Sequence, residues 1–303
     1  MKQIKQFKGL GILLAIISSG TFGFIPLFSI PLLRGGIELD SVCFYRFLFS
    51  SVMMGLYMLF KKVSFRVTKR EFITVSLLSV FYASTSIFLT ASYAYMPSGI
   101  STTIHFLYPV LVATMMILFF KEKLSVKKGV AIMVAIGGVF FLCGGFSAAT
   151  PAQSINLTGL GLVLITVVTY STYIVGVNNT PLLMKMNGTK MTFYVLASSA
   201  FFFLCNILVK GGHFCPLETT SQWANALSLA FLATLISDLT LIYAIQMIGS
   251  TTTAILGCME PLTAVTMGFI FFGERLSISQ GGGIMMVFVA VYLVILSQKK
   301  RNL

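Results

Sequence analysis

Charge is what this sequence has least of. Lys, Arg, Asp and Glu make up 10% of its 303 residues, where soluble domains carry about 25%. So few charges cannot cover a water-facing surface, which excludes an ordinary soluble globular protein. Acidic residues are the scarcer sign, 8 against 21 Lys and Arg, for a formal charge of +13. The basic residues fall in short clusters between apolar runs, not along one face, and this excludes a nucleic-acid-binding protein. Five cysteines (Cys43, Cys143, Cys205, Cys215 and Cys258) include no Cys-x-x-Cys pair. Four fall within apolar runs as small hydrophobes, so neither a metal site nor a disulfide framework is expected. The two histidines, His105 and His213, have no neighbouring cluster of His, Asp or Cys. An intramembrane enzyme would lack the nucleophile–base pair or metal centre it needs. No Gly-x-x-x-x-Gly-Lys-Ser/Thr stretch occurs, so the chain does not hydrolyse ATP by itself.

What is abundant is apolar sequence: 57% of residues are hydrophobic and the mean hydropathy is +0.94. Apolar stretches of about twenty residues, enough to cross a bilayer core, centre on Gly9–Phe28, Ser41–Phe60, Phe72–Tyr95, Gly99–Phe120 and a shorter Gly129–Cys143. A second series covers Gly159–Val177, Met191–Val209, Ala226–Ile248, Thr251–Phe272 and Ile278–Leu296. Lys2, Lys5 and Lys8 precede the first run, which is long enough to span and is read as an uncleaved helix. With both termini cytoplasmic, 17 of the 21 basic residues fall inside, three (Arg34, Lys210 and Arg275) outside, and Arg46 within a span. That bias predicts an all-α polytopic protein of ten transmembrane helices. The stretches left over are too short to fold alone. Trp223, the single tryptophan, falls at an outer water–lipid boundary. Short loops fit a bacterial cytoplasmic membrane.

The chain repeats itself. Residues 98–129 match 250–281 at a constant offset of 152, with ten identities in 32 positions. Among them are Pro109/Pro261, Phe119/Phe271, Glu122/Glu274, Leu124/Leu276 and Gly129/Gly281. Gly9-Leu10-Gly11 corresponds to Gly159-Leu160-Gly161, and Thr90…Tyr93-Ala94 to Thr240…Tyr243-Ala244. Two five-helix repeats are expected, at 9–145 and 157–297. Five is odd, so the second repeat enters the membrane inverted. Inverted repeats are a recurring architecture of secondary transporters.

These residues carry a resemblance. Arg46 in the second span, Pro109 and Pro261, the Phe-Lys-Glu-Lys-Leu-Ser and Phe-Gly-Glu-Arg-Leu-Ser segments, and Gly129 and Gly281 together resemble the drug/metabolite transporter superfamily, specifically proteins with two EamA-type domains. The resemblance covers Gly9 to Leu296 and implies ten helices around a central cavity, alternating access and no cofactor. Relatives of this kind move amino acids, other metabolites, choline-like cations and toxic compounds, so the resemblance is weak for substrate.

Four ionisable residues fall at membrane depth: Arg46, His105, Asp238 and Glu260. Each costs on the order of 2.5–3.5 kcal/mol at a helix centre, so each faces the bundle interior or a wet cavity. Glu260 directly precedes Pro261, which frees backbone carbonyls nearby; it either answers a proton or cation, or holds the ninth helix. Its repeat partner, Tyr108, also precedes a proline. Asp238 binds substrate or pairs with Arg46. Arg46 binds a carboxylate or, as the resemblance favours, anchors its helix by snorkelling. A lone histidine such as His105 is more often a packing residue than a proton relay. Tyr82, Tyr93, Tyr95, Tyr108, Tyr170, Tyr173 and Tyr243 lie in spans, where a buried phenol needs a partner and can flank a cationic substrate. Glu122 and Glu274 read as turn and capping devices, and Pro109 and Pro261 as helix breaks. The function expected is a secondary transporter exporting a small amphiphilic metabolite such as an amino acid by alternating access, with membrane lipids around it and protons as the candidate coupling ion. The alternatives are an importer of a choline-like cation, a lipid flippase or an intramembrane enzyme.

Overall fold

The computed structural model describes residues 2–96, 98–123, 125–142, 156–211, 214–272 and 278–299, and among these residues every regular element is helical. Expectations placed on Cys143, His213, Glu274, Arg275, Lys300 and Arg301 lie outside the described residues, as do Leu124 and Leu276 of the repeated segments.

The helices of the first half are α1 (Lys2–Phe22), α2 (Ile25–Arg34), α3 (Leu39–Phe60), α4 (Lys69–Ser92), α5 (Ser98–His105), α6 (Tyr108–Phe120) and α7 (Val126–Leu142). The second half has α8 (Leu157–Asn179), a single turn α9 (Pro181–Met184), α10 (Gly188–Val209) and α11 (Thr220–Ala230). A π-helical turn, Phe231–Ile236, then joins α11 to α12 (Ser237–Ile248), followed by α13 (Ser250–Leu256), α14 (Met259–Phe272) and α15 (Ile278–Lys299). Six of the resulting rods are long and apolar enough to cross a membrane: Gly9–Arg34, Leu39–Phe60, Lys69–Ser92, Leu157–Asn179, Gly188–Val209 and Thr220–Ile248. Large apolar side chains point outward along them, with Phe60 88% and Leu208 69% exposed. A continuous apolar exterior of this kind needs a lipid neighbour.

Local chemistry sets the helix ends. Thr68 and Glu71 form a capping box at α4, Thr68 N–H donating to Glu71 Oε2 at 2.7 Å and Glu71 N–H to Thr68 Oγ1 at 3.2 Å. Thr219 and Gln222 do the same for α11. Asn156 and Asn187 side chains cap α8 and α10. Lys121 ends α6 in the left-handed region at φ 53°.

Packing reproduces the internal repeat. α1 lies on α12 and α4 on α8, while α3 pairs with α10 and α7 with α15. Exchanging α1 for α8 and α4 for α12, each the other half's counterpart, returns the same set of pairs. The two halves are interlocked through these exchanged contacts, and most of the buried apolar residues form one core that draws on both.

Three rods are broken, each where the sequence removes a helix bond or a side chain. α1 gives way to α2 at Gly23-Phe24, ahead of Pro26. α5 gives way to α6 at Phe106-Leu107, ahead of Pro109, and α13 to α14 at Gly257-Cys258, ahead of Pro261. Proline lacks the N–H that would continue the ladder. The breaks are in contact: a Cβ on Gly23 would lie 2.5 Å from the Glu260 carbonyl oxygen and 2.8 Å from Thr263 Cβ, so only glycine permits that approach.

Candidate functional site

The four ionisable residues of the spans converge on the middle of the bundle. Arg46, on α3, is 2% exposed. Its Nε donates to Thr234 Oγ1 at 2.7 Å and its Nη1 to Ser86 Oγ at 3.0 Å. Its guanidinium carbon stands 5.2 Å from the Phe47 ring centre and 5.7 Å from that of Phe22, within cation–π range. The arginine is thus buried among partners on three elements and does not extend to an interface. Thr234 reaches it because the π-helical turn redirects that stretch: Thr234 Oγ1 donates to the Leu229 carbonyl five residues back at 2.8 Å. Insertions of this kind occur frequently at functional sites.

Asp238 follows the π turn on α12 and is 1% exposed. Tyr82 Oη on α4 donates to its Oδ1 at 2.5 Å. The described ion pairs are Lys128–Glu122 and Lys210–Asp40, so among the described residues Arg46 and Asp238 do not bond directly.

Aromatic rings wall this polar group. Tyr82 and Tyr173 stack with centroids 5.0 Å apart, and Tyr108 meets Tyr170 edge-on at 4.8 Å. His105 lies 5.3 Å from the Tyr108 ring and 5.3 Å from that of Tyr170, and its Nδ1 is 2.8 Å from Thr166 Oγ1 on α8. Phe22 covers Tyr170 from the first rod. Four buried polar atoms in this cluster have no hydrogen-bond partner: Arg46 Nη2, Asp238 Oδ2, Tyr173 Oη and His105 Nε2. Unpaired buried groups cost about 1–3 kcal/mol each and call for an explanation, of which ligand binding is one.

The broken helices complete the site, each capped by the other half. Ser19 Oγ of α1 lies 3.0 Å from the Leu256 carbonyl that the α13–α14 break exposes. Ser171 Oγ of α8 donates to the Tyr108 carbonyl in the α5–α6 break at 3.2 Å. Glu260 and Tyr108, paired by the 152-residue offset, both sit in the first turn after a break, of α14 and α6.

Cavities lie at both ends of the α5–α6 rod. One of about 600 Å³, at its start, is lined by Ile30, Leu33, Arg34, Tyr93, Ala94, Tyr95, Met96 and Ser98. Another of about 330 Å³, at the far end, is lined by Glu122, Lys128, Asn178, Asn179 and residues 248–252 among others. There Glu122 joins three elements: Oε2 accepts from Thr251 Oγ1 at 2.8 Å and Oε1 from Lys128 Nζ at 3.2 Å. Tyr243 stands apart from the cluster, its hydroxyl 3.0 Å from Thr189 Oγ1 at the start of α10. Trp223 packs on Phe49 and donates to the Leu217 carbonyl.

Sequence reasoning therefore named Arg46, Tyr82, His105, Tyr108, Asp238 and Glu260, which the fold brings together. It missed Ser86, Thr166, Thr234, the two capping serines and Gly257. The hydroxyls looked like ordinary small polar residues in apolar runs, and only their spacing from the ionisable groups across separate helices, invisible in one dimension, marks them out.

Comparison with known proteins gives this arrangement a context. No curated protein matches the chain. A solved crystal structure, described only as that of a protein, is similar with a TM-score of 0.76 at 15% identity, covering 94% of this chain and 98% of that one. At that identity the likeness is one of fold. The model of the EamA-like transporter family matches twice, over residues 9–144 and 157–296. The protein is an integral membrane protein of multiple spans, and it belongs to the EamA-like transporter family.

Proposed function

We propose that the protein is a secondary transporter that exports a small amphiphilic metabolite, such as an amino acid, by alternating access across ten membrane spans. The six long rods supply six of these crossings; α5–α6, α7, α13–α14 and α15 supply the rest. The bias of the basic residues supports cytoplasmic termini, and on that reading the cavity beside Tyr93 opens outward and the one beside Glu122 inward.

One observation carries the substrate reading. The unpartnered atoms of the central cluster include a guanidinium N–H and a carboxylate oxygen, with phenylalanine rings against the arginine and Tyr82 against the aspartate. A solute with a carboxylate and an ammonium group complements both charges, and its apolar part packs on the tyrosines. Such a zwitterion adds no net charge to the membrane interior, which lowers the cost of crossing. Glu260 and Asp238 are the candidates for proton coupling.

The test uses full-length protein purified in detergent and then reconstituted in liposomes. Amino acids should raise its apparent thermal stability by mass action and move down an imposed gradient, and Asp238→Asn should abolish both effects. Stabilisation by choline-like cations alone would reverse the substrate assignment. Movement of labelled phospholipid with no competition from soluble solutes would make it a flippase. Flux of no solute under any gradient would refute the transporter reading.

A further inference from the structure

The two broken helices meet unequally. A Cβ at Gly257 would overlap the Tyr108 hydroxyl and lie 2.8 Å from Tyr108 Cζ, so a phenol from the first half fills the notch that a missing side chain leaves in the second. The 152-residue offset pairs Tyr108 with Glu260 and His105 with Gly257. The symmetry mate of the Tyr108–Gly257 contact is therefore Glu260 against His105. That contact is not made: no ion pair joins the two among the described residues, and His105 Nε2 is buried without a hydrogen-bond partner. Yet the groups share one neighbourhood: His105 lies 5.3 Å from the Tyr108 ring, Tyr108 fills the Gly257 notch, and the Glu260 N–H donates to the Gly257 carbonyl at 3.0 Å.

We propose that the opposite-facing state exchanges these contacts: Tyr108 leaves the Gly257 notch, and the Glu260 carboxyl takes the symmetry-related place on His105 Nε2. The inference rests on the alternating-access reading, since related halves in inverted orientation can swap their arrangements between two states. The side chains are suited to the exchange. One diagonal sets a large ring against no side chain, the other a carboxyl chain against an imidazole, so one fills as the other opens. The hydrogen count is defined as well. Thr166 Oγ1 gives its proton to the Val163 carbonyl at 2.6 Å, so His105 Nδ1 donates to Thr166 and Nε2 keeps its lone pair. The exchanged contact thus takes one proton, brought by Glu260 and shared with the ring.

The test reads which side is open. In a background with all five native cysteines replaced, Ala94→Cys reports the larger cavity and Ile248→Cys the smaller. Each is labelled in proteoliposomes with a membrane-impermeant maleimide. Gly257→Ala, whose methyl displaces the Tyr108 hydroxyl, should lower labelling at 94 and raise it at 248. Tyr108→Leu, which empties the notch, should act in the same direction and serves if the glycine variant does not fold. His105→Phe and Glu260→Leu should move the ratio the other way by roughly tenfold each, the scale of one charge-assisted bond. Because both remove one contact, the double variant should move it no further than the larger single effect. If Gly257→Ala or Tyr108→Leu trades labelling between the two sites but the His105 and Glu260 variants shift nothing, or add independently, the exchange is overturned and alternating access stands. If labelling at 94 and 248 never trades under any variant, alternating access itself fails.

Discussion

Removing the hydroxyl that Thr234 presents to Arg46 separates a structural arginine from a loosely held one. Thr234→Val keeps the shape of the side chain and deletes the acceptor of the 2.7 Å bond from Nε. Arg46 is 2% exposed, and its Nη2 already lacks a partner, so the freed Nε–H has no water to turn to. Bonds to charged groups are worth about 1.5–3 kcal/mol, whereas side-chain bonds within membrane bundles average about 0.6 kcal/mol, with a maximum of about 1.7. A buried, cation-bearing donor belongs near the upper end of the membrane range, and the expected loss is about 1.5 kcal/mol. The assay is reversible unfolding of the purified protein in mixed micelles, run as a cycle with Arg46→Met. In the Arg46→Met background no charge is stranded, so Thr234→Val should cost about 0.5 kcal/mol or less, and the coupling between the sites should be about 1 kcal/mol. Additive losses, with coupling under about 0.3 kcal/mol, would refute the reading that Thr234 holds the arginine in place.

Other consequences can be checked more quickly. Gly23→Ala sets a methyl against the Glu260 backbone oxygen at 2.5 Å and should destabilise by about 1–3 kcal/mol, read as a lower thermal midpoint. Thr251→Val removes the hydroxyl that bonds Glu122 at 2.8 Å between the α6–α7 connection and the start of α13; labelling of Ile248→Cys should rise severalfold, and unchanged labelling would return Glu122 to a purely local turn role. Thr68→Ala breaks the α4 capping box and should cost about 1 kcal/mol of stability with flux unaltered, which makes it the control for the other three.

The sequence was most legible where chemistry is one-dimensional. The apolar runs gave the rods, and Pro109 and Pro261 marked two of the breaks to within a few residues, because a missing N–H acts locally. The constant offset between Ser98–Gly129 and Ser250–Gly281 foretold that the breaks would sit at equivalent places. Cross-helix partners were a different matter. Nothing near Arg46 in the chain announces Thr234, 188 residues away, and the π turn that aims it has no proline or glycine to betray it. The pairing weighed for Asp238 was with the one opposite charge at similar depth, whereas the fold supplies the Tyr82 hydroxyl instead. Tyr243, grouped with the other tyrosines by depth alone, faces Thr189 because its position around the helix differs.

The crossed serine caps also set an order of assembly. Ser19 enters the membrane with α1, while Leu256, whose carbonyl it meets, is made 237 residues later. At about 5–20 residues per second, that interval is roughly 12–47 s, during which the hydroxyl bonds back to the Ala15 and Ile16 carbonyls of its own helix, 2.9 and 3.3 Å away. α1 therefore docks in two stages, first on α12, where Ser237 Oγ donates to the Ser18 carbonyl at 2.9 Å, and then, through Ser19, on the α13–α14 break.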